Sequence, residues 1–108
     1  MATIKERVQA GADLLDKVLP DWWNGKETPT IDLEILEMNS PNMCVLGQCF
    51  GEYSAGCEKL AISPWRRSRG PDAEDFGFIS GVHNDTGRLT APWRKEIRYR
   101  RNAARRVK

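Results

Sequence analysis

The chain has 108 residues, 40% hydrophobic and 30% charged, with a formal net charge of +2. That length fits one domain, and that apolar share can bury a core, which excludes a disordered chain and leaves little room for a second domain. No stretch approaches the roughly 18 apolar residues of a membrane span, and Met1-Ala2-Thr3-Ile4-Lys5-Glu6 lacks the apolar heart of a signal peptide, so the expected location is the cytoplasm.

Thr3 and Glu6 have the spacing of a capping box, in which hydroxyl and carboxylate each satisfy an orphan amide at a helix start. Ile4, Val8, Ala12, Leu15 and Leu19 then recur on one face, and Pro20 cannot continue the pattern, which predicts a helix from Ile4 to Leu19. A turn follows with two adjacent indoles, Trp22 and Trp23; they cannot face the same way, so one packs inward. Over residues 28–38, Ile31, Leu33, Ile35 and Leu36 fit a short helix capped by Asp32, with a strand as the alternative. Ser40-Pro41 is expected to open a helix through the apolar run Met43 to Phe50, and Ser54 to cap another that carries Cys57, Leu60 and Ala61. Residues 63–75 read as a polar loop, Phe76 to Ile79 as a short aromatic segment, and His83 to Gly87 as a turn. Thr90 is the expected N-cap of a last helix with Trp93, Ile97 and Ala104 near one face. Trp93 and one of Trp22 and Trp23 are expected in the core. The fold expected is mainly α: a single small domain of four or five short helices, compact over residues 1–97, with a basic helical extension over 98–108.

The small net charge hides an asymmetry. Residues 93–108 hold eight Lys or Arg against Glu96, a local charge of +7, which leaves −5 over residues 1–92. On a helix, Arg94, Arg98, Arg100, Arg101, Arg105 and Arg106 cover most of the surface. They suit phosphates, whose neutralisation releases counterions, with Tyr99 as a stacking surface. The competing reading is a helix end that docks on the acidic body.

Little else points to chemistry. Cys44, Cys49, Cys57 and His83 form a nominal zinc set, but Cys44 and Cys49 diverge on a helix and no Cys-x2-Cys pair exists. Three cysteines, an odd number, read as reduced core thiols. Asp72, Glu74 and Asp75 read as a solvated acidic loop, and no glycine spacing makes a phosphate loop. No catalytic residue, metal or cofactor is expected. Tryptophan and arginine are the types that anchor interfaces, so Trp65 with Arg66, Arg67 and Arg69 is the expected partner-binding cluster.

The order of motifs resembles a known family. Glu6-Arg7-Val8, Gly11-Ala12, Leu14-Leu15-Asp16, Pro20-Asp21-Trp22, Ile31-Asp32-Leu33, Cys44-Val45-Leu46-Gly47-Gln48 and Phe50-Gly51-Glu52-Tyr53 are similar to small proteins encoded by phages of actinobacteria, notably mycobacteriophages, and by some of their hosts. Gly77-Phe78, Leu89-Thr90, Trp93-Arg94 and Glu96-Ile97 look like its closing elements, so the resemblance covers most of residues 4–97. The Trp65 to Asp75 loop is longer, and the tail from Arg98 more basic, than that family's pattern. The family has no assigned activity, so the resemblance implies phage origin and a role inside the host during infection or lysogeny, and supplies no catalytic residues. The expected function is that of a non-enzymatic phage accessory protein that binds a host protein. Nucleic-acid binding through the basic helix is the alternative, and self-association is a further option.

Overall fold

The computed structural model describes residues 3–24, 31–64, 72–79 and 86–106, with the side chains of Arg105 and Arg106 left aside. The fold is mainly α, a single small domain. Among the described residues the helices are α1 (Ile4–Val18), α2 (Val45–Phe50), α3 (Tyr53–Leu60) and α4 (Thr90–Arg106), the last entered through a 3₁₀ turn at Thr86–Leu89. No strand forms among the described residues; Ser63 and Asp72 meet in one isolated parallel bridge.

The start of α1 follows from its capping box. Thr3 Oγ1 accepts the Glu6 amide at 3.1 Å, and Glu6 Oε1 accepts the Thr3 amide at 3.0 Å. The hydrogen bond from the Thr3 backbone, joined by its hydroxyl, holds the Glu6 carboxyl below its ordinary range. Val8, Ala12 and Leu15 are buried along the predicted face, and Leu19 closes the helix by donating to the Leu15 carbonyl at 2.8 Å.

Three local expectations are corrected. Among the described residues, 31–38 contain turns and no helix. Asp32 Oδ1 accepts the Glu34 amide at 2.9 Å, an Asx turn that occupies the side chain expected to cap a helix. Gln48 holds this segment from outside: its Oε1 accepts the Asp32 amide, and its Nε2 donates to the Asp32 and Met43 carbonyls. With its polar groups met by these turns and by Gln48, the segment can point Ile31, Leu36 and Met38 into the core. Ser40-Pro41 forms a turn in which Ser40 Oγ accepts the Met43 amide; α2 begins later, capped by the Cys44 thiol, which accepts the Gly47 amide at 3.2 Å. Ser54 is no cap, since α3 starts at Tyr53 after Glu52, which makes no side-chain capping bond.

A polar link between distant parts of the chain forms at Thr90. Its Oγ1 accepts the Met38 amide at 2.9 Å and donates to Glu37 Oε1 at 3.4 Å, which seats the entrance to α4 on the 31–44 segment. One turn on, Trp93 is fully buried, as is Trp22. The Trp93 ring stacks on Phe78 with centroids 5.2 Å apart and meets Trp22 edge-on at 5.9 Å. Its Nε1–H donates to the Gly77 carbonyl at 2.6 Å. Gly77 reaches this position with φ of +72°, a region that glycine enters without a Cβ clash.

Gly11 permits the close approach that closes the core. A Cβ there would lie 2.1 Å from the Phe76 carbonyl oxygen and 3.0 Å from the Trp93 ring. Gly11→Ala should therefore cost about 1–3 kcal/mol through overpacking. Gly87→Ala, whose new methyl would meet nothing nearer than Glu37 Oε1 at 3.6 Å among the described residues, should stay within about 0.5 kcal/mol. Urea denaturation of the two variants, read by tryptophan fluorescence, checks the contrast.

Candidate protein-binding groove

The basic helix divides its cations between two tasks. Arg94 turns inward and donates from Nε to the Leu33 carbonyl at 3.3 Å and from an Nη to that of Leu36 at 3.4 Å. Arg101 donates to the carbonyls of Trp23 and Ile31. Arg100 is the most heavily engaged: Nε to Glu96 Oε2 at 2.8 Å, one Nη to Asp16 Oδ2 at 2.6 Å, and the other to Asp13 Oδ1 at 3.2 Å. Lys95 and Arg98 stay exposed, and Arg105 and Arg106 close the helix. The boundary expected after residue 97 falls inside α4, whose 17 residues form one helix. Docking on the acidic body is thus the geometry of Arg100, and it extends to the aromatic core. Asp16 Oδ1 accepts the Trp22 indole N–H at 3.0 Å, and the Arg100 guanidinium lies 5.8 Å from the Trp22 ring centroid. Burial works against this charge, but the hydrogen bonds that Arg100 donates to Asp16 and Glu96, and the Coulombic attraction of those carboxylates, outweigh it and raise the Arg100 pKa.

Where α4 passes this ion cluster it borders an open groove of about 370 Å³, lined by Gln9 of α1, Trp23, and Glu96, Tyr99, Arg100, Ala103 and Ala104 of α4. Successive turns of α4 explain it. Ile97 is fully buried, Arg101 half-buried and Ala104 exposed, so the apolar stripe runs past the end of the body. Tyr99, with 70% of its surface exposed, stands beside the stripe, and Trp23 packs only partly against the core. The volume is at the small end of the roughly 300–1,000 Å³ range of ligand clefts.

Trp65, Arg66, Arg67, Arg69 and His83 lie outside the described residues. Cys44 and Cys57 are buried and Cys49 half-buried, all three as free thiols. Burial raises the pKa of each, and pushes Cys49 from 9.0 up to about 12 with a smaller Coulombic push from Cys44. No group of three metal-ligating side chains forms among the described residues. Asp72 and Asp75 each accept the other's backbone amide at 3.2 Å and so close a turn. No helix among the described residues is long and apolar enough to cross a membrane.

Gln9, Asp13 and Asp16 belong to one surface that no motif in the sequence singles out. Their spacing of four and three residues puts them on a single polar face of α1, and Glu96 with Arg100 has the matching interval of four on α4. No family model matches the chain, and no curated protein or solved structure matches it either.

Two predictions follow from this geometry. Arg100→Met, which keeps the apolar stem, should cost about 2 kcal/mol because three charge-assisted hydrogen bonds go, and Arg98→Met should stay within about 0.5 kcal/mol; urea midpoints compare them. The raised thiol pKa values make the fold favour the protonated form. Their contribution to stability is therefore full below about pH 9 and lost as pH rises toward 12, where folded Cys49 also ionises. Iodoacetamide at pH 8 should label the folded chain far more slowly than the urea-unfolded chain, as counted by mass spectrometry.

Proposed function

We propose that this chain is a non-enzymatic accessory protein that works by binding another protein. The observation that carries the reading is the α1–α4 groove, where Trp23, Tyr99, Ala103 and Ala104 present apolar surface at the end of the body beside a fixed ion cluster. A partly exposed aromatic pair with a polar rim has the make-up of an interface anchor. The thiols, held protonated by burial, are poor nucleophiles, which supports a non-catalytic role. The setting, the cytoplasm of an actinobacterial host during infection or lysogeny, rests on the sequence resemblance to phage proteins alone.

Nucleic-acid binding is the second reading, favoured by the exposed Lys95 and Arg98 on α4. Truncation after Ile97 is a poor test of it, because the cut also removes Arg100 and Arg101, which tie α4 to the body.

A tagged pull-down from an actinobacterial lysate, with and without nuclease, separates the two. The expected result is a discrete protein that survives nuclease and falls about tenfold with Tyr99→Ala, a substitution at an exposed side chain. Capture abolished by nuclease and by Lys95→Ala with Arg98→Ala would replace this reading with the second. Trp65→Ala with Arg67→Ala, in the same series, reports on the cluster expected from sequence.

A further inference from the structure

We infer that the α1–α4 groove is built for a cationic, amphipathic segment of a protein partner, one that carries an arginine or lysine beside an apolar side chain. This rests on the protein-binding reading and adds the chemistry of the partner. Charge favours such a segment. Asp13, Asp16 and Glu96 share one guanidinium, so the ion cluster at the groove keeps a formal charge of −2. Arg100 has spent Nε and both Nη atoms on those carboxylates, and an anionic ligand would have to displace them.

The remaining acceptors favour it too. Glu96 meets Arg100 through Oε2, and Asp13 meets Arg100 and Gln9 through Oδ1. Glu96 Oε1 and Asp13 Oδ2 receive no hydrogen bond from the described residues, and Glu96 lines the groove. A guanidinium or ammonium is the group that such oxygens bind best.

The floor of the groove suits it as well. Trp23 and Tyr99 offer aromatic surface to the stem of a basic side chain and attraction to its charge, while Ala103 and Ala104 leave room for a partner backbone. The ordered acids set the direction: the groove complements a basic helix and repels an acidic one.

The probe is a fluorescein-labelled peptide of about 16 residues, long enough to form helix, with leucine on one face and arginine flanking it. Its twin has glutamate for every arginine. Anisotropy on the full chain should show the arginine peptide binding at least tenfold more tightly than the twin. Glu96→Gln and Tyr99→Ala should each weaken it about tenfold, while Glu58→Gln, which removes an equal charge from the exposed surface of α3, should change it less than twofold. If Glu96→Gln alters the circular dichroism spectrum, Tyr99→Ala carries the comparison. Equal binding of the twin, an equal loss with Glu58→Gln, or indifference to Tyr99→Ala would overturn the inference. So would a labelled oligonucleotide that binds in a Tyr99-dependent way, or light scattering that finds pairs of this chain broken by Tyr99→Ala. Peptide failure with Tyr99-dependent lysate capture would remove only the basic chemistry; loss of that dependence as well would remove protein binding at the groove.

Discussion

A fully buried indole must find an acceptor for its N–H, and the rest of this small core is arranged around how Trp93 does so. The Gly77 carbonyl supplies the acceptor, but only from a left-handed backbone position close to α1. Gly11 then has to lack a side chain so that the Phe76 carbonyl can come near. Phe78, next in the chain, stacks on the same ring, and Trp22 meets its edge. One hydrogen bond thus fixes where the 72–79 segment, the 20–24 turn and α4 meet. An unsatisfied N–H at that depth would cost roughly 1–3 kcal/mol, a large part of the net stability of a domain this size.

From Trp22 the order passes outward into charge. Asp16 accepts the indole N–H with one oxygen and the Arg100 guanidinium with the other, so the aromatic core and the ion cluster share a carboxylate. This is why the cations of α4 cannot be treated as a uniform basic tail. Arg94, Arg100 and Arg101 fasten the helix to the body, and the exposed pair Lys95 and Arg98 faces elsewhere. The groove inherits an excess of carboxylate from this division, on a molecule whose formal charge is positive.

Helix patterning was legible in the sequence where a helix carries its own signals. The capping box at Thr3 and the period of Val8, Ala12 and Leu15 gave α1, and Trp93 and Ile97 gave the buried side of α4. The 31–44 segment was not legible in the same way, because irregular turns fold it and two of its amides, those of Asp32 and Met38, are satisfied from outside it by Gln48 and Thr90. Cys44 as an N-cap defeats residue preference, since its thiol takes the role usually given to Ser or Asp. Composition exposed the charge asymmetry, and it could not say which arginines spend their donors inside the molecule. The groove depends on that allocation and on Ala104 lying beyond the body, so neither its lining nor its acidic rim could be read from spacing.

Arg101 has a mechanical meaning beyond charge. Its guanidinium binds the carbonyls of Trp23 and Ile31, so a single side chain holds the 20–24 turn and the start of the 31–44 segment to α4. Both stretches therefore depend on the same turn of that helix, and a change that loosens it releases them together.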